Sequence, residues 1–133
     1  MENFRRWSRR LREIGRILAD HGQRLGLEYI GTHTLVYRNK YPFIHTMAET
    51  KELIADTGGN NIGFVLDSWH WWQAGDSRDD ILSLEGKQII ALDLNDAPQG
   101  VVKRQAIDHE RELPLATGVI DLKAFLGAVK ATG

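Results

Sequence analysis

Apolar residues recur at three- and four-residue steps along the start of the chain: Phe4, Trp7, Leu11, Ile14, Leu18 and Leu25, with Arg and Glu between them. This spacing predicts an amphipathic helix, capped by Asn3 and stopped near Gly26. Leu27 to Ile30 reads as a short buried strand, and Gly31 to Phe43 as a loop with Pro42 near its end. Thr46-Met-Ala-Glu49 has the spacing of a capping box, which starts a second helix running to about Asp56. The turn cluster Thr57-Gly-Gly-Asn-Asn61 follows. From Asn61 to Leu66 the chain is apolar without alternation, as in a parallel strand covered on both faces. Ser77 caps a short helix near Arg78 to Leu84, and Gln88 to Leu92 forms a third strand. A polar loop runs from Asn95 to about Thr117, and Asp121 caps a last helix from Leu122 to Lys130.

The order α-β-α-β-α-β-loop-α predicts an α/β fold of parallel β/α units. With 133 residues the chain suits a single domain, 1–133. Functional groups in such folds collect at the C-terminal ends of the strands. Glu28, Asp67, His70, Asp93 and Asp96 all fall at or beside those ends. The chain has no cysteine, so any metal must be held by oxygen and imidazole ligands. The net charge of −1 provides no overall basic field for nucleic acid or an anionic membrane. Arg5, Arg6, Arg9, Arg10, Arg12 and Arg16 crowd the first helix, and they read as a solvated face. No apolar stretch is long enough for a transmembrane helix, and the Arg-rich start lacks a signal-peptide core, so a cytoplasmic protein is expected.

In Asp67-x-x-His70, a carboxylate and an imidazole leave one strand three residues apart. Both can turn toward a single Mn, Mg, Co or Zn ion. The same pair also fits a helix cap and an ordinary surface histidine. Asp93 lies between Leu92 and Leu94, where a buried carboxylate would need a cation or hydrogen bonds. Asp96 could reach metal, substrate or a loop backbone. Trp69, Trp71 and Trp72 surround His70 and suit either a sugar-stacking pocket wall or plain packing. His33 and His45 are loop histidines with acid/base capacity. The Arg111 guanidinium suits a polyhydroxyl or anionic substrate, or else a loop salt bridge to Glu110 or Glu112.

Three segments carry a family resemblance: Phe64-Val-Leu-Asp-Ser-Trp-His-Trp-Trp72, Ile90-Ala-Leu-Asp-Leu-Asn-Asp-Ala-Pro98, and Arg111-Glu-Leu-Pro114 with Gly118-Val-Ile-Asp-Leu-Lys-Ala-Phe-Leu126. Together they resemble the xylose isomerase-like sugar phosphate isomerase/epimerase family. The resemblance implies a TIM barrel with a divalent ion at its mouth. Glu28 matches the family's fifth-strand ligand and Asp67 its sixth-strand ligand, with His70 as companion. Asp93 stands where the family usually has His or Gln. Arg111 matches a substrate-contacting arginine, and Asp96, Trp69 and Trp71 are further substrate-side candidates. Glu28 and His70 are the implied acid/base groups.

A complete barrel takes roughly 250 residues. The resemblance therefore implies a partial, half-barrel-like fold lacking the first four strands and the last one, which carries the family's final Glu ligand. Exposed strand edges then predict a homo-oligomer. The expected activity is metal-assisted proton transfer on a small sugar, polyol or inosose. The alternatives are a catalytically inactive fragment, a dehydratase acting on an inosose or dehydroshikimate, and an endonuclease IV-like repair protein. The last requires an Asp-x-His after the seventh strand, whereas Asp108 and His109 are adjacent.

Overall fold

A computed structural model describes residues 2–38 and 40–133. Three parallel strands form one open sheet: β1 (Leu25–Leu27), β2 (Ile62–Asp67) and β3 (Ile89–Asp93), in the order β1-β2-β3. The helices are α1 (Glu2–Asp20), α2 (His33–Val36), α3 (Met47–Thr57), α4 (Ser68–Ala74), α5 (Arg78–Leu82) and α6 (Leu122–Ala131). Each strand therefore pairs with its predecessor after a helical crossover, which is the winding of a barrel arc. Leu25 pairs with Ile62 and Asp67 with Asp93, so the strand ends line up.

The central strand is the most deeply covered. Phe64 and Leu66 have no solvent exposure, and Trp69, Met47, Ile81, Ile120 and Phe125 complete the core around them. Burying each large side chain of this kind is worth about 1.5–3 kcal/mol. The expected capping box at Thr46 is formed, the expected cap at Ser77 is also a capping box with Asp80, and Asp121 accepts the Ala124 N–H at 2.9 Å. On α1, the buried stripe is Ser8, Leu11 and Gly15, while Trp7 and Ile14 keep substantial exposure. Ser8 hydrogen-bonds Asp56, and Arg12 donates to the carbonyls of Asp56 and Thr57 at 2.6 and 2.8 Å. Arg12 thereby satisfies backbone acceptors at the C-terminal end of α3.

Several boundaries differ from the sequence expectation. Asn3 lies inside the first turn of α1 rather than at its cap. The helix stops at Asp20 because Gly22 takes a left-handed φ of 67° and Gln23 N–H closes back on the Leu18 carbonyl. Leu25 consequently opens β1 instead of ending α1. The expected Gly31–Phe43 loop contains α2, and the tryptophan cluster forms α4. β3 is half-covered at its start and exposed from Ala91 to Asp93, because no described strand pairs with its outer edge.

Candidate metal centre at the strand ends

Asp67 is both the last residue of β2 and the N-cap of α4. Its Oδ1 accepts the Trp69 backbone N–H at 2.8 Å and the Asn95 amide at 3.1 Å. This cap sets the first turn of α4 and delivers His70 to the same side of the sheet. Glu28 arrives from the residue after β1. Glu28, Asp67 and His70 each offer a ligand atom, and these atoms lie within 4.8 Å of one another. Asp67 and His70 are buried, whereas Glu28 is exposed.

The electrostatics follow from this crowding. Partial burial raises the Glu28 carboxyl above its ordinary range, with further pushes from the Asp67 and Asp93 charges. Burial lowers the His70 imidazole; Arg111 adds to the effect, while Asp67 and Asp108 oppose it. His70 is thus held toward its neutral form. Its Nδ1 lies 3.3 Å from the Thr32 hydroxyl. That hydroxyl already donates its one proton to Asp108 at 2.8 Å, and it accepts from the Trp69 indole at 2.9 Å. Toward His70 it can only accept, so Nδ1 carries the imidazole proton and Nε2 keeps its lone pair. Nε2 faces Arg111 Nη2 at 3.4 Å and Asp67 Oδ2 at 3.9 Å.

Arg111 closes this cluster. It donates to Asp67 Oδ2 at 2.6 Å, to Asp108 Oδ1 at 2.9 Å and to the Asp108 carbonyl at 2.7 Å, and it lies over the Trp69 ring at 5.3 Å. Its carboxylate partners are therefore Asp67 and Asp108, and not the adjacent Glu110 or Glu112. A backbone bridge between Asp96 and Glu112 holds this loop beside the strand ends, with both N–H···O distances at 2.9 Å.

Asp96 itself is fully buried. One oxygen accepts from Ala97 and Ile120 N–H at 2.8 and 2.9 Å, the other from Thr117 and Gly118 N–H at 3.0 and 2.7 Å. All four contacts go to the loop backbone, which corrects the expectation that Asp96 faces substrate. Trp69 and Trp71 require the same correction. Trp69 has no exposure, and Trp71 donates to the Ser77 carbonyl at 3.1 Å while packing edge-on against Phe125. Both are core side chains rather than a sugar-stacking wall. Asp93 is exposed rather than buried, and it lies outside the three-residue cluster, although it sits beside Asp67 in register.

A family model described as the xylose isomerase-like TIM barrel matches residues 2–133. The chain belongs to that family.

Among relatives, the inosose isomerase of Bacillus subtilis (strain 168) is 29% identical over 126 residues, covering 92% of this chain and 41% of its own length. A probable endonuclease 4 of Mycobacterium tuberculosis (strain ATCC 25177 / H37Ra) is 33% identical over 107 residues, covering 77% of this chain and 37% of that protein. The chain thus spans well under half the length of the curated relatives it matches. Among solved structures, a xylose isomerase domain protein from Alicyclobacillus acidocaldarius superposes with a TM-score of 0.86 at 34% identity, over 95% of this chain and 44% of that one. The IOLI protein with a binding zinc atom superposes with a TM-score of 0.76 at 27% identity, over 92% of this chain and 41% of that one.

The donor set in this family member fits a divalent cation. Two carboxylates and an imidazole lone pair converge; burial chiefly raises Glu28, and the Asp67 and Asp93 charges that add to it are the kind a cation relieves. Sequence reasoning missed two members of the cluster. Asp108 had a readable signal in its spacing of three from Arg111. Thr32 had none, because its partners His70 and Asp108 lie 38 and 76 residues away in the chain.

Proposed function

We propose that this chain contributes a divalent-metal centre for proton transfer on a small sugar, polyol or inosose, in an isomerase or epimerase reaction. The convergence of Glu28, Asp67 and His70 at the ends of parallel strands carries this reading. The inosose isomerase relatives and the zinc-bearing structural neighbour support it. Glu28, Asp67 and His70 would hold the ion, with Asp93, in register with Asp67, as a further carboxylate beside them. When bound, Mn, Mg, Co or Zn supplies polarisation of the substrate's carbonyl and hydroxyl oxygens.

The chain's own groups perform the remaining tasks. Glu28, exposed and raised in pKa, takes the proton from the carbon beside the carbonyl and returns it to the neighbouring carbon or oxygen. His70, held neutral with Nε2 free of a proton, would give that lone pair to the ion, which leaves Glu28 as the acid/base group. Arg111 holds Asp67 in position and presents its guanidinium edge to substrate oxygens. Metal-supplemented protein incubated with ketoses and inososes in deuterated water should incorporate solvent deuterium, and Glu28→Gln should remove that exchange. No exchange across the panel would leave an inactive chain with inherited ligands. Exchange accompanied by loss of water would indicate the dehydratase variant of the same proton abstraction. The endonuclease 4 relative makes a labelled abasic duplex a necessary control, and no salt-dependent submicromolar binding is expected. Self-association through the unpaired edges of β1 and β3 belongs to the same proposal. Light scattering at micromolar concentration tests it, and a clean monomer would refute it.

A further inference from the structure

A second cavity, of about 300 Å³, lies one helical turn along α4 from His70. Its lining includes His33, Tyr37, His45, Gln73, Lys103 and Arg104, none of which belongs to the strand-end cluster. We propose that this cavity binds a phosphoryl group.

The argument starts from donors and acceptors. Lys103 and Arg104 supply positive charge, and the imidazoles and the tyrosine hydroxyl add further donors. No carboxylate lines the cavity. The acidic groups on this side are engaged: Glu49 lies 3.2 Å from His45 Nδ1 and closes the capping box of α3, and Asp76, which acts on Lys103, accepts the Met47 N–H at 3.2 Å. Gln73 is the independent observation. It is 8% exposed, and its Nε2 has no hydrogen-bond partner among the described residues. Its Oε1 faces the His33 backbone N–H at 3.5 Å, which directs the amide and leaves the NH₂ end unused. A buried unsatisfied donor costs about 1–3 kcal/mol, so a ligand oxygen at this point has a ready partner.

The walls suit a small anion. His33 and Tyr37 stack with ring centroids 4.3 Å apart, and Tyr37 meets His45 edge-on at 6.3 Å, giving one aromatic side. Across from it, the Lys103 ammonium rests over the Trp72 ring at 5.3 Å. The volume is at the low end of the range of about 300–1,000 Å³ for ligand pockets, which favours a phosphate or a compact phosphate ester. An arginine fork, an ammonium and an amide NH₂ together match the several acceptor oxygens of a phosphoryl group better than the two of a carboxylate. This assignment stands independently of the strand-end centre.

Isothermal titration calorimetry with inorganic phosphate, sorbitol 6-phosphate and sorbitol tests it on the intact chain. Saturable binding of inorganic phosphate is expected, together with a weakening of at least about tenfold in K103M/R104Q. That double variant should keep its fold with only a small drop in unfolding midpoint, since Arg104 is exposed and the half-buried Lys103 loses its contact with the Trp72 ring. Gln73→Met should weaken phosphate binding as well while leaving the fold intact. If sorbitol 6-phosphate binds about tenfold tighter than phosphate, and sorbitol does not bind, the cavity grips the handle of a phosphorylated ligand. Equal affinities for the two phosphates would make the free anion the ligand. Absence of binding at millimolar phosphate, or wild-type affinity in K103M/R104Q, would overturn the proposal.

Discussion

Replacing Asp96 by Asn should destabilise this protein more than any other isosteric change at the strand ends. The Asp96 carboxylate is fully buried and accepts four backbone N–H groups, two on each oxygen. Asn retains one acceptor oxygen and substitutes an NH₂ for the other. Two N–H donors then lose a charged acceptor and confront a donor. At about 1.5–3 kcal/mol for each hydrogen bond to a charged group, the expected loss is about 3–6 kcal/mol. Domains of this size have about 5–15 kcal/mol in total, so the variant should sit at the margin of folding. Urea titration followed by tryptophan fluorescence measures the difference. A loss below about 1 kcal/mol would refute the reasoning. The same contacts set a pH signature. Burial raises the Asp96 carboxyl, but the N–H groups of Ile120, Thr117, Gly118 and Ala97 outweigh it and hold the group well below the carboxylate range. A depressed folded pKa gives stability that is complete above the unfolded value, near about 4. It is lost as pH falls below that value toward the folded one. The wild-type advantage over D96N should therefore shrink in acid and persist at neutral pH.

Three further outcomes are expected. A methyl group on Gly31 would lie 2.3 Å from the His70 carbonyl oxygen and 2.8 Å from the Ala74 nitrogen. Gly31→Ala should accordingly displace α4 and cost about 1–3 kcal/mol by thermal unfolding; an unchanged midpoint would count against the close approach. His70→Ala should abolish uptake of Mn²⁺ seen by native mass spectrometry, and retention of one ion per chain would remove His70 from the ligand set. Arg111→Met leaves the buried Asp67 carboxylate without its guanidinium, so it should lower stability by about 1.5–3 kcal/mol. It should also enlarge the stabilisation given by added Mn²⁺, since a cation then replaces Arg111; equal shifts in variant and wild type would contradict that competition.

The parts of the fold legible in the sequence were those with local causes. The uninterrupted apolar run before Asp67 read correctly as the covered central strand. The caps at Thr46, Ser77 and Asp121 needed only side chains three residues from their targets. The segment Ser68-Trp-His-Trp-Trp-Gln73 shows no helical period of apolar and polar residues, so α4 is not legible: polar Ser68, His70 and Gln73 are buried along with Trp69 and Trp71. The apolar neighbours of Asp93 suggested burial, but β3 lacks a described partner on its outer side, and those neighbours do not cover it. For Arg111 the sequence offers a substrate or, as the alternative, a salt bridge to Glu110 or Glu112; its carboxylate partners are Asp108, three positions away, and Asp67, 44 positions away. Asp96 looked like a site residue because it follows a strand end. Its true partners, between Ala97 and Ile120, come into reach only once the loop has folded back.

Asp67 has a consequence for how this centre tolerates change. One carboxylate ends β2, caps α4 and belongs to the proposed ion site, so replacing it alters the start of the helix that carries His70 as well as the charge it supplies. Glu28 and Asp93 carry no such second duty; both are exposed, one just after β1 and the other at the end of β3, and neither caps a helix. Diversification of the centre is therefore asymmetric. New chemistry can be explored by exchanging the outer two positions one at a time, while the middle position is frozen by the architecture it supports.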